Sequence, residues 1–423
     1  MAAQNREITI IGGGIVGCST AYYLSHHPSY SPETTTITLL EASINGAAQG
    51  ASGKAGGLVA KWAYPRELVD VSFEEHKRLA ETHGGTERWG WRMVGCGTWE
   101  GRGEVLTEAD EPGTGVGKGG ERRSLEKTLG LDGGSKSKAS RRAKGLPDDL
   151  TWVKESLTSS YTPMAPAGDT AQVHPYLFTM SMLELAKERG VQFVSGKVTS
   201  INHDGGQVKS VTYTEVTGEK LTRTIPSTHV ILTAGAWSPN ILPSLPISAT
   251  RAHSITVITP PETEIAPYVL FTEIVMPADG RTRSKGRPEI VSPEIYPRPL
   301  PTKEIYICGP GDSLKLPETV DEVAVDPEAC EAIYKQVASI SPEVKSGTVD
   351  KRQACYLPVV RGGGGPIVGE VKSLKGLILG VGHTCWGICN APGTARALSE
   401  LVMEGGIKCA DLRRLDPSRY FKL

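Results

Sequence analysis

The chain opens on Ile8-Thr9-Ile10-Ile11-Gly12-Gly13-Gly14-Ile15-Val16-Gly17, an apolar run followed at once by Gly-x-Gly-x-x-Gly on Gly12, Gly14 and Gly17. A helical pattern (Val16, Ala21, Leu24) comes next, then a polar turn from Pro28 to Thr36, then a second apolar run, Ile37 to Leu40, ending in Glu41. Strand, glycine turn, helix and strand in this order form the dinucleotide-binding βαβ fingerprint. Gly12 permits the tight turn, Gly14 lets backbone approach a pyrophosphate, and Gly17 lets helix and strand pack closely. The pyrophosphate would sit on the helix N-terminus, where free N–H groups and the helix dipole favour negative charge. Glu41 lies 24 residues past Gly17, a little beyond the usual spacing of about 20, and the polar turn accounts for the excess. A carboxylate there would accept a ribose hydroxyl and repel a phosphate.

Working outward, the small-residue loop Gly50-Ala51-Ser52-Gly53-Lys54-Ala55-Gly56-Gly57 is too glycine-rich for a helix interior. It reads as a place where backbone meets a flat, bulky ligand. A helix is expected around Leu68 to Leu79, followed by an aromatic patch at Trp89, Trp91 and Trp99. Residues from about 101 to 148 are polar and glycine-rich, which predicts a long surface loop or a disordered insertion. A helix from Tyr176 to Arg189 precedes two short strands, Val191 to Val194 and Lys197 to Ile201, and a hairpin, Gln207 to Glu215 with Leu221 to Ile225. The stretch from His229 to Trp237 reads as a buried parallel strand breaking at Gly235.

From Ser248 to about Cys308, proline-rich β-like runs predict a separate antiparallel sheet, and within it Tyr306 to Leu316 places Lys315 in a strand with apolar neighbours. A helix from Pro327 to Ile340, strands at Ala354 to Pro358 and Gly376 to His383, and a last helix from Ala391 to Met403 complete the pattern. Sheet segments at both ends and in the middle of the chain predict two interleaved domains.

At 423 residues the chain is long enough for two domains, and its formal net charge of -1 gives no electrostatic footprint for nucleic acid. No run of 18 apolar residues suggests a membrane span. The eight cysteines are scattered without CxxC pairs, which fits a reduced, cytoplasmic setting and no metal site. The final Phe-Lys-Leu shares two of three residues with a peroxisomal Ser-Lys-Leu address. A monomer is expected.

The N-terminal fingerprint, the Ser52 to Gly57 loop, Thr233-Ala234-Gly235-Ala236-Trp237 and the Gly382-His383-x-x-x-Gly387 turn together resemble the D-amino-acid-oxidase-like flavoproteins, above all the sarcosine and glycine oxidase branch. The resemblance implies an α/β fold: a Rossmann-type FAD-binding domain (1–88, 168–245 and 346–423) interleaved with a mainly antiparallel-sheet substrate domain (89–167 and 246–345). It makes the cofactor FAD, bound non-covalently, with a link at Cys355 left open because Cys355 sits where that branch carries its flavin-linked cysteine. It implies FAD contacts at Gly12, Gly14, Ile15, Val16, Glu41, Ala42, Ser52, Gly53, Lys54, Ala55, Gly56 and Gly57. Further contacts are implied at Val198, whose backbone would meet the adenine, and at Ala234, Gly235, Trp237, Gly382, His383, Trp386, Gly387 and Ile388. Lys315 is similar to the lysine that activates oxygen in the sarcosine oxidases.

Two departures bear on the substrate. Amino-acid oxidases of this family often carry an arginine before the proline of Leu357-Pro358, where this chain has Leu357. The sarcosine branch uses a lysine at the position of Cys389. Lys61 and Arg361 are nearby in sequence as substitutes. The implied activity is oxidation of a C–N bond in a small amine or amino-acid derivative to an imine, with O2 as acceptor and H2O2 as product. A dehydrogenase with another acceptor, and a flavoprotein acting through partners in intracellular traffic, remain the rival readings.

Overall fold

The computed structural model describes residues 5–106, 140–277, 289–299 and 304–423. The N-terminal fingerprint builds the centre of the first sheet. Strand β1 (Arg6–Ile11) lies parallel to β2 (Thr35–Glu41) on one side and to β11 (His229–Leu232) on the other. The sheet continues through β19 (Leu377–Val381), parallel to β11, to the antiparallel edge strand β18 (Ile367–Glu370). Beyond β2 come β8 (Gln192–Asp204), β9 (Gln207–Glu215) and β10 (Thr222–Pro226). Ile8, Ile10, Ile37, Leu39, Ile231 and Ile378 point into one apolar layer, and Ile11, Leu40, Val230, Leu232 and Leu379 into another. A parallel sheet covered on both faces needs apolar residues at successive positions, which the runs at Ile8 and Ile37 supply.

The second sheet is mainly antiparallel: β17 (Thr348–Val360), β12 (Ile247–Ile258), β16 (Glu304–Asp312), β15 (Glu294–Pro297), β13 (Tyr268–Met276), β5 (Gly95–Arg102) and β6 (Thr158–Pro163), with β14 (Glu289–Val291) paired to β13. The β13 to β5 pairing alone in this sheet is parallel among the described strands. A third, small sheet holds β3 (Leu58–Ala60), β7 (Thr170–Gln172) and β4 (Arg92–Met93) in that order. The strand at Ala354 to Pro358, which the sequence placed with the cofactor segments, hydrogen-bonds to β12 in the second sheet.

Three other expectations need correction. The two strands read at Val191 to Ile201 form the single strand β8. Gly196 continues the strand between them and lets the Tyr213 ring lie over it: a Cβ there would sit 2.3 Å from that ring. The last helix begins at Gly387, four residues before the expected Ala391, and carries Pro392 inside it. Pro392 has no N–H for the Ile388 carbonyl, and His76 Nε2 meets that oxygen instead at 3.0 Å. Finally, the predicted insertion is shorter than 101–148. Residues 101–102 finish β5, and Leu146 is buried in the second core, with Arg141 donating to the Pro147 and Leu150 carbonyls. Residues 107–139 lie outside the described residues.

Candidate active site: a cavity between the two sheets

At its C-terminal end β1 runs into Gly12 and the helix Ile15–Ser25. Gly14 is the N-cap, with no side chain to cap the helix, and the first turn holds no acidic residue. Ile15 N–H donates to Ser52 Oγ at 2.9 Å, which fastens the small-residue loop beside the helix start. A helix start without an N-cap side chain, beside small residues, is a ready anion site. Glu41 closes the same end: its Oε2 accepts Gly13 N–H at 2.7 Å and its Oε1 accepts Ser43 N–H at 2.8 Å. Burial raises its pKa above the usual carboxylate range, and the backbone donors oppose that rise.

These parts open on a cavity of about 400 Å³ between the sheets. Of the residues singled out by sequence, Gly12, Gly14, Ile15, Val16, Glu41, Ala42, Ser52, Lys54, Ala55 and Gly56 line it, as do Val198, Ala234, Gly235, Trp237, Cys355, Gly382, His383, Gly387 and Ile388. Gly53, Gly57 and Trp386 do not. Gly53 and Gly57 shape the loop from behind: a Cβ on either would sit about 2 Å from the Ala48 or Val173 carbonyl oxygen. The Trp386 ring packs instead on Trp62 and Tyr64, each 5.5 Å away.

Lys315 departs furthest from expectation. It lies past the end of β16 in an exposed segment, not in a strand, and does not line the cavity. The cause is Asp312, which pairs with Arg251 at 2.7 Å and accepts Leu314 N–H at 2.9 Å. That side-chain turn leads the chain out of the sheet before Lys315 is reached. The Lys315 carbonyl accepts the Tyr356 hydroxyl at 2.9 Å.

Leu357 lines the cavity as an apolar residue, while Cys389 is buried against the Ala60 backbone. Neither substitute cation reaches the cavity: Lys61 pairs with Asp169 at 3.0 Å, and Arg361 is exposed. Among the described residues the lining cations are Lys54 and Lys197. Lys54 Nζ donates to the Ala354 carbonyl at 3.1 Å, and burial lowers its pKa. Beside it, burial pushes the Cys355 thiol up to about 11 against the pull of the Lys54 charge. His383 Nε2 lies 2.9 Å from Thr394 Oγ1, and burial lowers the ring to about 4, so it stays neutral at pH 7.

Sequence reasoning missed the wall opposite the glycine loop. Glu294, Tyr296, Tyr306 and Cys308 line the cavity from β15 and β16. A Cβ on Gly56 would lie 2.7 Å from the Tyr296 ring, so loop and wall fit only with glycine there. Under the wall, Arg298 pairs with Glu304 at 3.2 Å and donates to the Ala55 carbonyl at 2.8 Å. The alternation Glu294-Ile295-Tyr296 and Tyr306-Ile307-Cys308, with the isoleucines fully buried, was the available signal.

The sequence profile of the family described as FAD dependent oxidoreductase matches residues 7–401. The chain belongs to that family. It is 31% identical to the Saccharomyces cerevisiae protein TDA3, over 98% of this chain and 95% of that protein, which is named as an oxidoreductase. A similarly named Schizosaccharomyces pombe protein is 32% identical over 98% of both chains. Among solved structures, glycine oxidase from Geobacillus kaustophilus superposes with a TM-score of 0.66 at 16% identity, over 99% of this chain and 100% of that one. L-proline dehydrogenase from P. horikoshii gives 0.67 at 15% identity, over 99% and 98%. These likenesses establish the shared fold.

The residues fit FAD. The helix start, which lacks an N-cap side chain, suits the pyrophosphate, Glu41 the ribose, and the Ser52 to Gly56 loop, where the Tyr296 ring leaves no room for a Cβ at Gly56, a flat ring system.

Proposed function

We propose that the protein oxidises a C–N bond of a small amine or amino-acid derivative to an imine. The observation that carries this reading is a single cavity in which the dinucleotide fingerprint meets the wall of the second sheet. Bound FAD supplies the two-electron acceptor for the substrate's α-hydrogen. The protein's own groups orient and desolvate. The Gly14 to Val16 turn and Glu41 hold the dinucleotide, Lys54 brings positive charge beside Cys355, and the aromatic wall excludes water from the substrate. The imine then hydrolyses in solution.

For the electron acceptor we propose O2, giving H2O2, in line with the resemblance to amine and amino-acid oxidases. The position of Lys315, outside the cavity, favours a second reading: a dehydrogenase that passes electrons to another acceptor. Anaerobic mixing with a panel of amines tests the first step, because a substrate bleaches the flavin's visible bands. Admitting air separates the readings. Prompt recovery of colour with H2O2 supports the oxidase, and slow recovery supports the dehydrogenase. If no amine in the panel bleaches the flavin, the reaction class is wrong.

A further inference from the structure

We propose that the substrate end of the cavity is a subsite for an alkylated, positively charged ammonium group, held by Glu294 against a wall of aromatic rings. This rests on the amine-oxidation reading above and assigns its substrate class: an alkylated amine with no carboxylate close to the nitrogen, which binds protonated and gives its N–H proton to the Glu294 carboxylate before the α-hydrogen leaves as a hydride equivalent.

The strand register puts the parts together. Phe271 of β13 faces Glu294 of β15, and Glu294 in turn faces Cys308 of β16. Tyr296 faces Tyr306 two residues on. Cross-strand partners share a face, so these five side chains stand on one side of the second sheet. Their rings make an unbroken row. Tyr306 to Tyr296 is 5.7 Å, Tyr296 to Phe271 6.3 Å and Phe271 to Trp62 6.2 Å between centroids. From Trp62 the row continues to Trp386 at 5.5 Å. Tyr306 and Tyr296 line the cavity, and the row leads away from it through the half-buried Phe271, Trp62 and Trp386, which do not line it.

Glu294 is set into this row, half-buried, with a polar contact on one oxygen. Its Oε2 accepts the Tyr296 hydroxyl and the Cys308 thiol, the latter at 3.6 Å. Burial and the carboxylate itself keep both donors protonated. Neutral donors leave the charge of Glu294 uncompensated, and no ion pair involves it among the described residues. The lining cations are committed elsewhere: Lys54 to the Ala354 carbonyl, and Lys197 to Glu318.

A partly desolvated carboxylate beside aromatic faces attracts an organic cation twice, by charge-assisted contact and by the ring quadrupoles. The same carboxylate repels a substrate carboxylate placed next to the amine. The apolar Leu357 offers that group no replacement partner. Alkyl groups on nitrogen spread the charge and fit the rings better than a bare ammonium, whose hydration is lost on entry.

The test uses the flavin-loaded protein and isothermal titration calorimetry, which needs no turnover. The probes are tetramethylammonium, choline, dimethylbutanol (choline with carbon in place of nitrogen) and acetate. The expected result is saturable binding of tetramethylammonium and choline, with dimethylbutanol at least about tenfold weaker and acetate silent. Glu294→Gln keeps an acceptor for Tyr296 and should weaken both cations at least about tenfold, or about 1.4 kcal/mol. Phe271→Leu should weaken them less. Equal binding of choline and dimethylbutanol in the wild type, equal cation binding by Glu294→Gln, or no cation binding at all would overturn the subsite. Bleaching of the same flavin-loaded protein by an amine of the panel shows that such a failure belongs to the subsite, because a flavin that no amine bleaches is what would sink the broader reading.

Discussion

The Asp321 carboxylate accepts the Ser43 hydroxyl at 2.6 Å and the Ile44 amide at 3.0 Å, and also the Asn45 side-chain amide at 3.0 Å. Three donors from the turn after Glu41 thus tie down the segment that follows β16. Glu318, Thr319 and Val320 of that segment line the cavity, and Trp237 Nε1 holds the Pro317 carbonyl at 3.0 Å. The segment is a strap over the dinucleotide end. Asp321→Ala should loosen it and raise the FAD dissociation rate roughly tenfold, since each hydrogen bond to a charged group contributes about 1.5–3 kcal/mol. Stopped-flow release of FAD into an excess of a tight FAD-binding apoprotein measures this. An unchanged rate would show that the strap does not retain the cofactor.

Gly17 lies where the first helix crosses β1. A Cβ there would sit 2.0 Å from the Gly12 carbonyl oxygen and 2.8 Å from Thr233 Oγ1. Neither partner is a flexible chain end. Gly17→Ala should cost about 1–3 kcal/mol, as overpacked cores do, and lower the flavin bound per chain. Full occupancy with an unchanged Tm would contradict the close packing described.

Burial lowers His76, His174 and His383 from an ordinary value of 6.5 to about 4. Below pH 6.5 the unfolded chain binds protons that the folded chain refuses. Stability from these groups is therefore fully present above pH 6.5 and falls as pH drops toward about 4, by up to about 1.4 kcal/mol per pH unit for each histidine. His383→Asn should flatten this acid slope in a Tm series and leave the pH profile of flavin reduction above pH 6 unchanged. A profile that loses an inflection near neutrality would make His383 a titrating catalytic group instead.

The Cys355 thiol, pushed up to about 11 by burial, is almost wholly undissociated at neutral pH, and the thiolate is the reactive form. Acid precipitation should release the flavin to the supernatant, and Cys355→Ser should bind it equally well. Colour retained in the wild-type pellet and lost in Cys355→Ser would establish a covalent link.

The sequence made local chemistry legible. Gly12, Gly14 and Gly17 declare a strand-to-helix turn within a few residues of themselves, and the Ser52 to Gly57 loop announces a close approach by its three glycines. Glu41 was placed by counting. What escaped depends on partners far along the chain. Lys315 leaves the sheet because Asp312 is held by Arg251, 61 positions away. Gly196 stays in β8 because the Tyr213 ring needs its space, and Pro392 is tolerated because His76 meets the carbonyl it leaves free. Glu294 drew no notice because its meaning comes from Phe271 and Cys308 on neighbouring strands, which no spacing in the sequence connects.

The most direct measurement is the visible absorbance spectrum of the purified protein, before and after incubation with FAD and removal of the excess. The account predicts the two bands of oxidised flavin at close to one FAD per chain, with occupancy falling sharply in Glu41→Ala. A folded protein that stays colourless after incubation with FAD would contradict it.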